Sequence, residues 1–206
     1  MRKILPVLLA LLLAGCVGTP PRQTEIARRD LGDLAGAWDS PGFGIAGVDV
    51  RAASWLDTPD QMYRLAYADP LRRLAYTESR WVAPPAELLE RFLRRRIVYG
   101  QPDSSGTSGA GCRLALTLDE LEQRFAAPRD SATVLEARAA LLPPRGKTML
   151  AKRAFLIRRP APTPDAHGGV EGARAAAQAL ASELSLWLGE LARTRPQSVF
   201  ACKEAP

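Results

Sequence analysis

Cysteine is the residue type whose chemistry is easiest to place in this chain, which holds three: Cys16, Cys112 and Cys202. Cys16 closes the run Leu13-Ala14-Gly15-Cys16, behind a basic pair, Arg2 and Lys3, and an apolar stretch from Ile4 to Leu13. A charged start, an apolar segment too short to span a bilayer and small residues at the end read as a secretory signal and not as a transmembrane helix. The tetrapeptide has the pattern of a lipobox. Cleavage before Cys16 makes it the mature N-terminus, its sulfur carries a thioether-linked diacylglycerol, and its amine is then acylated. Each buried methylene contributes about 0.8 kcal/mol, so one chain binds weakly whereas two or three hold a protein on a membrane almost permanently. Val17, where an Asp would retain the protein in the inner membrane under the enterobacterial sorting rule, directs it to the periplasmic face of the outer membrane.

With Cys16 lipidated, Cys112 and Cys202 remain in a compartment where disulfides form and persist. Their pairing, closing a loop of about 90 residues, is the expectation, and two isolated thiols are the alternative. The other reactive groups do not assemble into a catalytic set. His167 is the sole histidine and lies in a Pro- and Gly-rich stretch with no second ligand at useful spacing, so neither a metal site nor a hydrolase base is expected. Ser105 and Ser108 fall in a Gly- and Ser-rich loop without a nucleophile elbow. Gly106 to Gly111 runs from loop to strand and lacks a lysine, the wrong order for a phosphate cradle. Glu120 with Glu122, and Glu87 with Glu90, read as surface charges. The expectation is a protein with no catalytic residues, no metal and no cofactor beyond the lipid on Cys16.

The elements that carry these residues fit one domain, since removing residues 1–15 from a chain of 206 leaves enough for one core and too little for two. We divide it into a signal peptide over 1–15, a lipidated N-terminus and flexible tether over 16–41, and a folded domain over 42–206. The formal net charge is +6, with arginine far outnumbering lysine. A GC-rich genome produces that balance, and a membrane-tethered periplasmic chain does not meet DNA, so no nucleic-acid partner is expected. The tether holds Pro20-Pro21 and no sustained apolar period, with at most a short helix near Ile26 to Leu34.

Within the domain, Ile45 to Val50 reads as a strand. Gln61 to Tyr67 and Leu71 to Thr77 read as a hairpin turned by Asp69-Pro70, exposing Arg64 on one face. Pro84-Pro85 opens a helix whose buried stripe is Leu88, Leu89, Phe92, Leu93 and Ile97. Cys112, Leu114, Leu116 and Leu118 alternate with polar or small residues as a half-buried strand does, and the apolar phase then shifts to Leu121 and Phe125, which predicts a bulge near Glu120. Thr133 to Leu142 and Thr148 to Arg158 follow as antiparallel strands, and a long helix through Ala173, Ala176, Ala177, Leu180, Leu184, Trp187, Leu188 and Leu191 ends the chain. The fold class is α/β bordering on α+β: a single domain with a mixed, largely antiparallel sheet and two main helices packed on it.

The ordered set Leu56, Asp57, Pro59, Gln61, Tyr63 and Arg64, followed by Arg80, Trp81 and Pro84 after a lipobox, resembles the ABC-type transport auxiliary lipoprotein family, the group that includes paraquat-inducible protein C. That family shares a Leu-Asp-x-Pro-Gln-x-Tyr-Arg pattern and a later Trp-x-x-Pro. Here Asp60 is inserted before Gln61, and the region before Ile45 carries an Arg- and Gly-containing tether where a short aromatic strand is common in the family. The resemblance covers most of the mature chain. It implies a non-catalytic accessory of an envelope transporter for lipids or apolar solutes. The implied partners are an ABC permease with its ATPase and a periplasmic mammalian-cell-entry protein, and a homo-oligomer is compatible with it. On this reading Asp57 and Pro59 shape a turn and Trp81 closes the core, while Arg64, Arg72 and Arg73 on the open hairpin face are the candidate partner contacts. A stand-alone envelope assembly lipoprotein and a carrier with an apolar pocket between sheet and helices are the alternatives.

Cys16→Ser is expected to abolish incorporation of labelled fatty acid and to release the protein from the membrane fraction; a variant that keeps either property overturns the assignment.

Overall fold

The computed structural model describes residues 25–32, 40–98 and 111–203. Its strands are β1 (Ala27–Arg29), β2 (Ile45–Ala52), β3 (Asp60–Leu65), β4 (Leu74–Trp81), β5 (Cys112–Ala127), β6 (Asp130–Leu142) and β7 (Ala151–Pro160), and its helices are α1 (Pro85–Ile97) and α2 (Ala166–Thr194). Short 3-10 turns cover Ser54–Leu56 and Pro196–Cys202. Cys16 and most of the Gly- and Ser-rich loop before Cys112 lie outside the described residues.

The seven strands form one open mixed sheet in the order β1-β4-β3-β5-β6-β7, with β2 also paired to β5. The strands β5, β6 and β7 make the expected antiparallel meander. The bulge expected near Glu120 is present: the β5–β6 register shifts between Leu118 and Glu120. Before it, even-numbered residues face the core, with Leu114 and Leu118 fully buried; after it, odd-numbered Leu121, Gln123 and Phe125 do. One extra residue thus reverses which side chains look at the helices.

The hairpin has a longer connection than expected, from Ala66 to Arg73, its second strand is set later, and it is not an open one. β3 pairs antiparallel with β4, and on its other side parallel with the end of β5, matching Tyr63 with Gln123, Arg64 with Arg124 and Leu65 with Phe125. β2 runs parallel along the start of the same β5 edge, from Ile45 beside Cys112 to Ala52 beside Leu118. Thus β2 and β3 lie end to end on one edge of β5. The free edge of β2 is closed by α1: Val50 N–H donates to Glu90 Oε2 at 2.9 Å, and Arg94 Nε donates to the Val48 carbonyl at 2.7 Å. The Glu90 and Arg94 pair, spaced one helical turn apart at 3.2 Å, therefore blunts a strand edge as well as supporting its helix.

Part of the stretch expected as tether is built into the sheet. Ala27–Arg29 is β1, parallel to β4 with Ala27 beside Ser79 and Arg29 beside Trp81, and Leu31 is buried in the core. The expected helix near Ile26 to Leu34 gives way to this strand, since pairing with β4 supplies the backbone hydrogen bonds that a narrow apolar stripe leaves to water. The helix α2 begins at Ala166, inside the Pro- and Gly-rich stretch that holds His167, with Asp165 as its N-cap accepting from Gly168 N–H at 2.8 Å. Among the described residues no helix is long and apolar enough to cross a membrane.

Cys112, at the start of β5, is bonded to Cys202 in the last 3-10 turn, with Cα atoms 4.8 Å apart across a separation of 90 residues. The bond ties the tail after α2 to the central strand. The folded, unreduced protein is expected to resist alkylation at both positions, read as intact mass, and Cys112→Ala with Cys202→Ala is expected to lower stability by about 4–5 kcal/mol in urea melts. Two freely alkylated thiols in the native protein would overturn this.

Candidate functional site

The bulge in β5 turns Glu120, Glu122 and Arg124 onto the sheet face opposite the helices, where the hairpin supplies arginines. Arg64 Nε donates to both Glu122 oxygens, at 2.9 and 3.2 Å, and Arg64 Nη1 donates to the Pro70 carbonyl at 2.8 Å. Arg124 grips the same Glu122 oxygen through Nε and Nη2 at 2.9 and 2.6 Å. Arg73 Nη2 donates to Glu120 Oε2, and its Nε lies 4.0 Å from Glu122. The Glu122 side chain is fully buried, and those of Arg64 and Arg73 are 15% and 24% exposed. Two carboxylates and three guanidinium groups thus share one half-buried patch.

Electrostatics separates the two acids. Burial works to raise the Glu122 carboxyl, but hydrogen bonds from Arg64 and Arg124 outweigh it and hold the group below the ordinary carboxylate range. Glu120 goes the other way: burial, then the charge of Glu122, pushes it up against the opposing pull of Arg73. The bond to Glu122 raises the Arg64 guanidinium.

On the helix side of β3 and β5 lies a second polar layer. Ser79 Oγ donates to Gln61 Oε1 at 2.7 Å, and Gln61 Nε2 donates to the Ala166 carbonyl at 2.6 Å. Tyr76 donates to Gln123 Oε1 at 2.8 Å, Gln123 Nε2 donates to Ser131 Oγ at 2.9 Å, and Thr133 donates to the Gly169 carbonyl at 3.0 Å. Burial raises the Tyr76 hydroxyl far above its usual range. Gly169 and Gly172 make this contact feasible: a Cβ at Gly169 would collide with Gln123 and Gln61, and one at Gly172 with Thr133. The cavity left between these groups measures about 10 Å³, room for about one water.

The structure brings the motif residues together around this seam. Leu56 and Trp81 are buried, Gln61 bridges β4 to α2, and Tyr63 stacks on Tyr76 with ring centroids 4.4 Å apart and meets Phe125 edge-on at 6.1 Å. Asp57 is exposed in the bend after the first 3-10 turn, and the Pro59 carbonyl accepts from Trp81 N–H at 2.8 Å. Pro84 caps α1, its carbonyl accepting from Glu87 and Leu88. The placement of Arg64 and Arg73 corrects the expectation of solvated contacts on an open hairpin face, because β5 lies beside β3 and puts two carboxylates under them. Only Arg72 of the three is exposed. Glu120 and Glu122 are likewise buried pairing groups and not surface charges. Sequence reading passed over Gln123, Thr133 and Gly169; the one available signal was polar Gln123 at a core-facing position once the phase shift is applied. Among the described residues no group of three His, Cys, Asp or Glu could hold a metal ion.

A family model described as ABC-type transport auxiliary lipoprotein component matches residues 39–185. Among solved structures, protein XCC0632 from Xanthomonas campestris, of family DUF330, is similar with a TM-score of 0.63 and 20% identity, covering 84% of this chain and 96% of that one. A second, an uncharacterized protein, has a TM-score of 0.56 and 10% identity, covering 80% of this chain and 99% of that one. At these identities both likenesses concern the fold. No curated protein matches.

Removing Arg64 takes from buried Glu122 one of its two hydrogen-bonding guanidinium partners and leaves Arg124 alone to hold the charge, so Arg64→Ala is expected to cost about 2–3 kcal/mol, whereas exposed Arg72→Ala stays within about 0.5 kcal/mol. Glu122 has a depressed folded-state pKa, so its stabilisation is present above the ordinary carboxylate pKa and fades as pH falls through the folded value. Glu122→Gln should therefore flatten that part of the acid loss. Urea melts from neutral to acid pH read both effects, and an Arg64→Ala protein as stable as Arg72→Ala would remove the structural role.

Proposed function

This chain belongs to the ABC-type transport auxiliary lipoprotein component family, and we propose that it serves as a non-catalytic docking accessory of an ABC-type envelope transporter of the mammalian-cell-entry class, moving lipids or apolar solutes. The lipidated Cys16 holds it at the periplasmic face of the outer membrane, and the domain holds a periplasmic mammalian-cell-entry protein near that surface, raising its local concentration there. ATP hydrolysis belongs to the permease-bound ATPase, so the chain needs no cofactor beyond its lipid.

The observation that supports docking over carriage is the seam between the sheet and the start of α2. There the family-motif residues Gln61 and Tyr63 engage Ser79, Ala166, Tyr76 and Phe125, and the remaining space is about 10 Å³. Ligand pockets for drug-sized molecules run to hundreds of Å³. A motif spent on bracing the fold shapes a surface, and the seam it closes does not enclose an acyl chain; the larger open hollow of about 370 Å³ lies away from that seam, beside Leu31, Val82 and α1, with the charged Asp30, Arg91 and Arg95 in its lining.

Affinity purification of the full-length lipoprotein from detergent-solubilised envelopes is expected to recover the mammalian-cell-entry protein and, through it, the permease. Cys16→Ser is expected to leave the domain folded but to separate that complex from outer-membrane fractions. Recovery of outer-membrane assembly factors instead supports the assembly reading, and stoichiometric co-purified lipid without the transporter supports the carrier.

A further inference from the structure

Residues upstream of β1 set where the domain sits on its membrane. β1 runs parallel to β4, with Ala27 beside Ser79, so the chain enters β1 from the end of the sheet where β4 begins at Leu74. About ten residues separate Cys16 from Ala27. Such a segment spans about 20 Å as a flexible coil and about 40 Å when fully extended. Along β4, Ser79 to Leu74 already covers about 17 Å in that same direction, and the loop joining β3 to β4 projects further.

That loop is apolar at its tip. Leu71 is 90% exposed and Tyr67 48% exposed, and Ile26, just before β1, is 43% exposed. The tip is built to present them. Leu71 N–H donates to Asp69 Oδ1 at 2.9 Å, Ala68 and Asp69 N–H both donate to the Leu65 carbonyl at 2.9 Å, and Arg64 holds the Pro70 carbonyl from below. Exposed Arg72 follows directly, a side-chain type whose apolar stem can lie in apolar surroundings while its charge reaches a phosphate. A tip ordered by tight turns, presenting Tyr67 and Leu71 with Asp69 capping the turn and Arg72 beside it, at the same depth as the mean reach of a lipidated segment, fits the headgroup and upper acyl region of a bilayer.

We propose that the β3–β4 tip, through Tyr67, Leu71 and Arg72, inserts into the lipid surface that carries the Cys16 anchor, fixing the orientation of the domain on the membrane. The proposal rests on the lipid-anchor reading of Cys16. Its occupant is a phospholipid bilayer.

The test uses the full-length acylated protein in vesicles of phosphatidylethanolamine and phosphatidylglycerol, with brominated acyl chains as quenchers. With Cys16 acylated and Cys112 bonded to Cys202, Leu71→Cys adds a single thiol for an environment-sensitive fluorophore; Tyr67→Cys and Leu186→Cys are made alike. Leu186 is 72% exposed about 30 Å along α2 from its start, which lies at the hairpin end of the sheet. Labels at 71 and 67 are expected to shift to the blue and lose fluorescence to the brominated lipid, while the label at 186 does neither. A label at 71 that behaves like the one at 186, on protein whose mass shows an acylated Cys16, overturns the proposal and leaves the anchor standing. Shielding at 71 only after a periplasmic partner is added overturns it in favour of protein docking. A mature protein whose mass shows no acyl chain overturns both readings.

Discussion

The rest of the structure depends on how β5 shares one edge between two short neighbours. The ladder with β2 ends at Ala52 beside Leu118, and the ladder with β3 begins at Tyr63 beside Gln123. The register shift against β6 falls within that interval. A bulge increases local twist and re-aims side chains, so it is tolerated where continuous pairing is already interrupted. Its consequence is a change of parity: Glu120 and Glu122 turn away from the helices, and Gln123 turns toward them. The acid and arginine patch on one face and the amide and hydroxyl layer on the other are thus two results of one inserted residue.

Both layers are expensive to bury and are therefore held by geometry. An isolated buried carboxylate would neutralise itself or disrupt the fold. Glu122 stays ionised because Arg64 and Arg124 donate to it from adjacent, in-register positions on β3 and β5, and the parallel pairing of these strands puts Arg64 beside Arg124. A slip of one residue in that pairing would move Arg64 to the helix side and leave Glu122 without its partner from β3, with Arg124 of its own strand alone. Buried charge of this kind adds little net stability, and its value lies in penalising the wrong register. The glutamine layer acts in the same way on α2: Gln61 and Thr133 bond the carbonyls of Ala166 and Gly169, which sets the helix start on the sheet to within a hydrogen-bond length.

Local periodicity carried what is local. Alternation from Cys112 to Leu118, the phase break before Leu121, the proline start of α1 and the apolar stripe of α2 each declare themselves within a few residues, and the structure has them. Parallel partners are a different matter. Nothing in Ala27–Arg29 alternates, and three residues become a strand only because β4 lies beside them. Nor does Arg64 itself tell a solvated hairpin face from a buried one, since the difference is the presence of β5, joined in sequence only after α1 and a long connection. The same non-local fact turned Glu120 and Glu122 from surface charges into pairing groups. Gly169 and Gly172 carry no signal of their own in the sequence and become contact points once Gln123 and Thr133 stand beneath them.

The pairing of β1 with β4 also changes what the anchor does. A tether running to residue 41 would let the domain turn freely at a wide range of heights, and tethering would then supply local concentration and nothing else. With β1 locked onto the sheet, about ten residues separate Cys16 from Ala27 in place of a stretch to residue 41, and the chain enters the domain at a fixed position on the sheet edge. If the chain is anchored and docks as proposed, rotational freedom is lost in folding and not at the moment of docking. In the proposed orientation, with the β3–β4 end toward the lipid, the end held by the Cys112–Cys202 bond is the one turned away from it. There the disulfide ties the start of β5 to the last 3-10 turn after α2, at the opposite end of β5 from its pairing with β3 and hence from the β3–β4 hairpin.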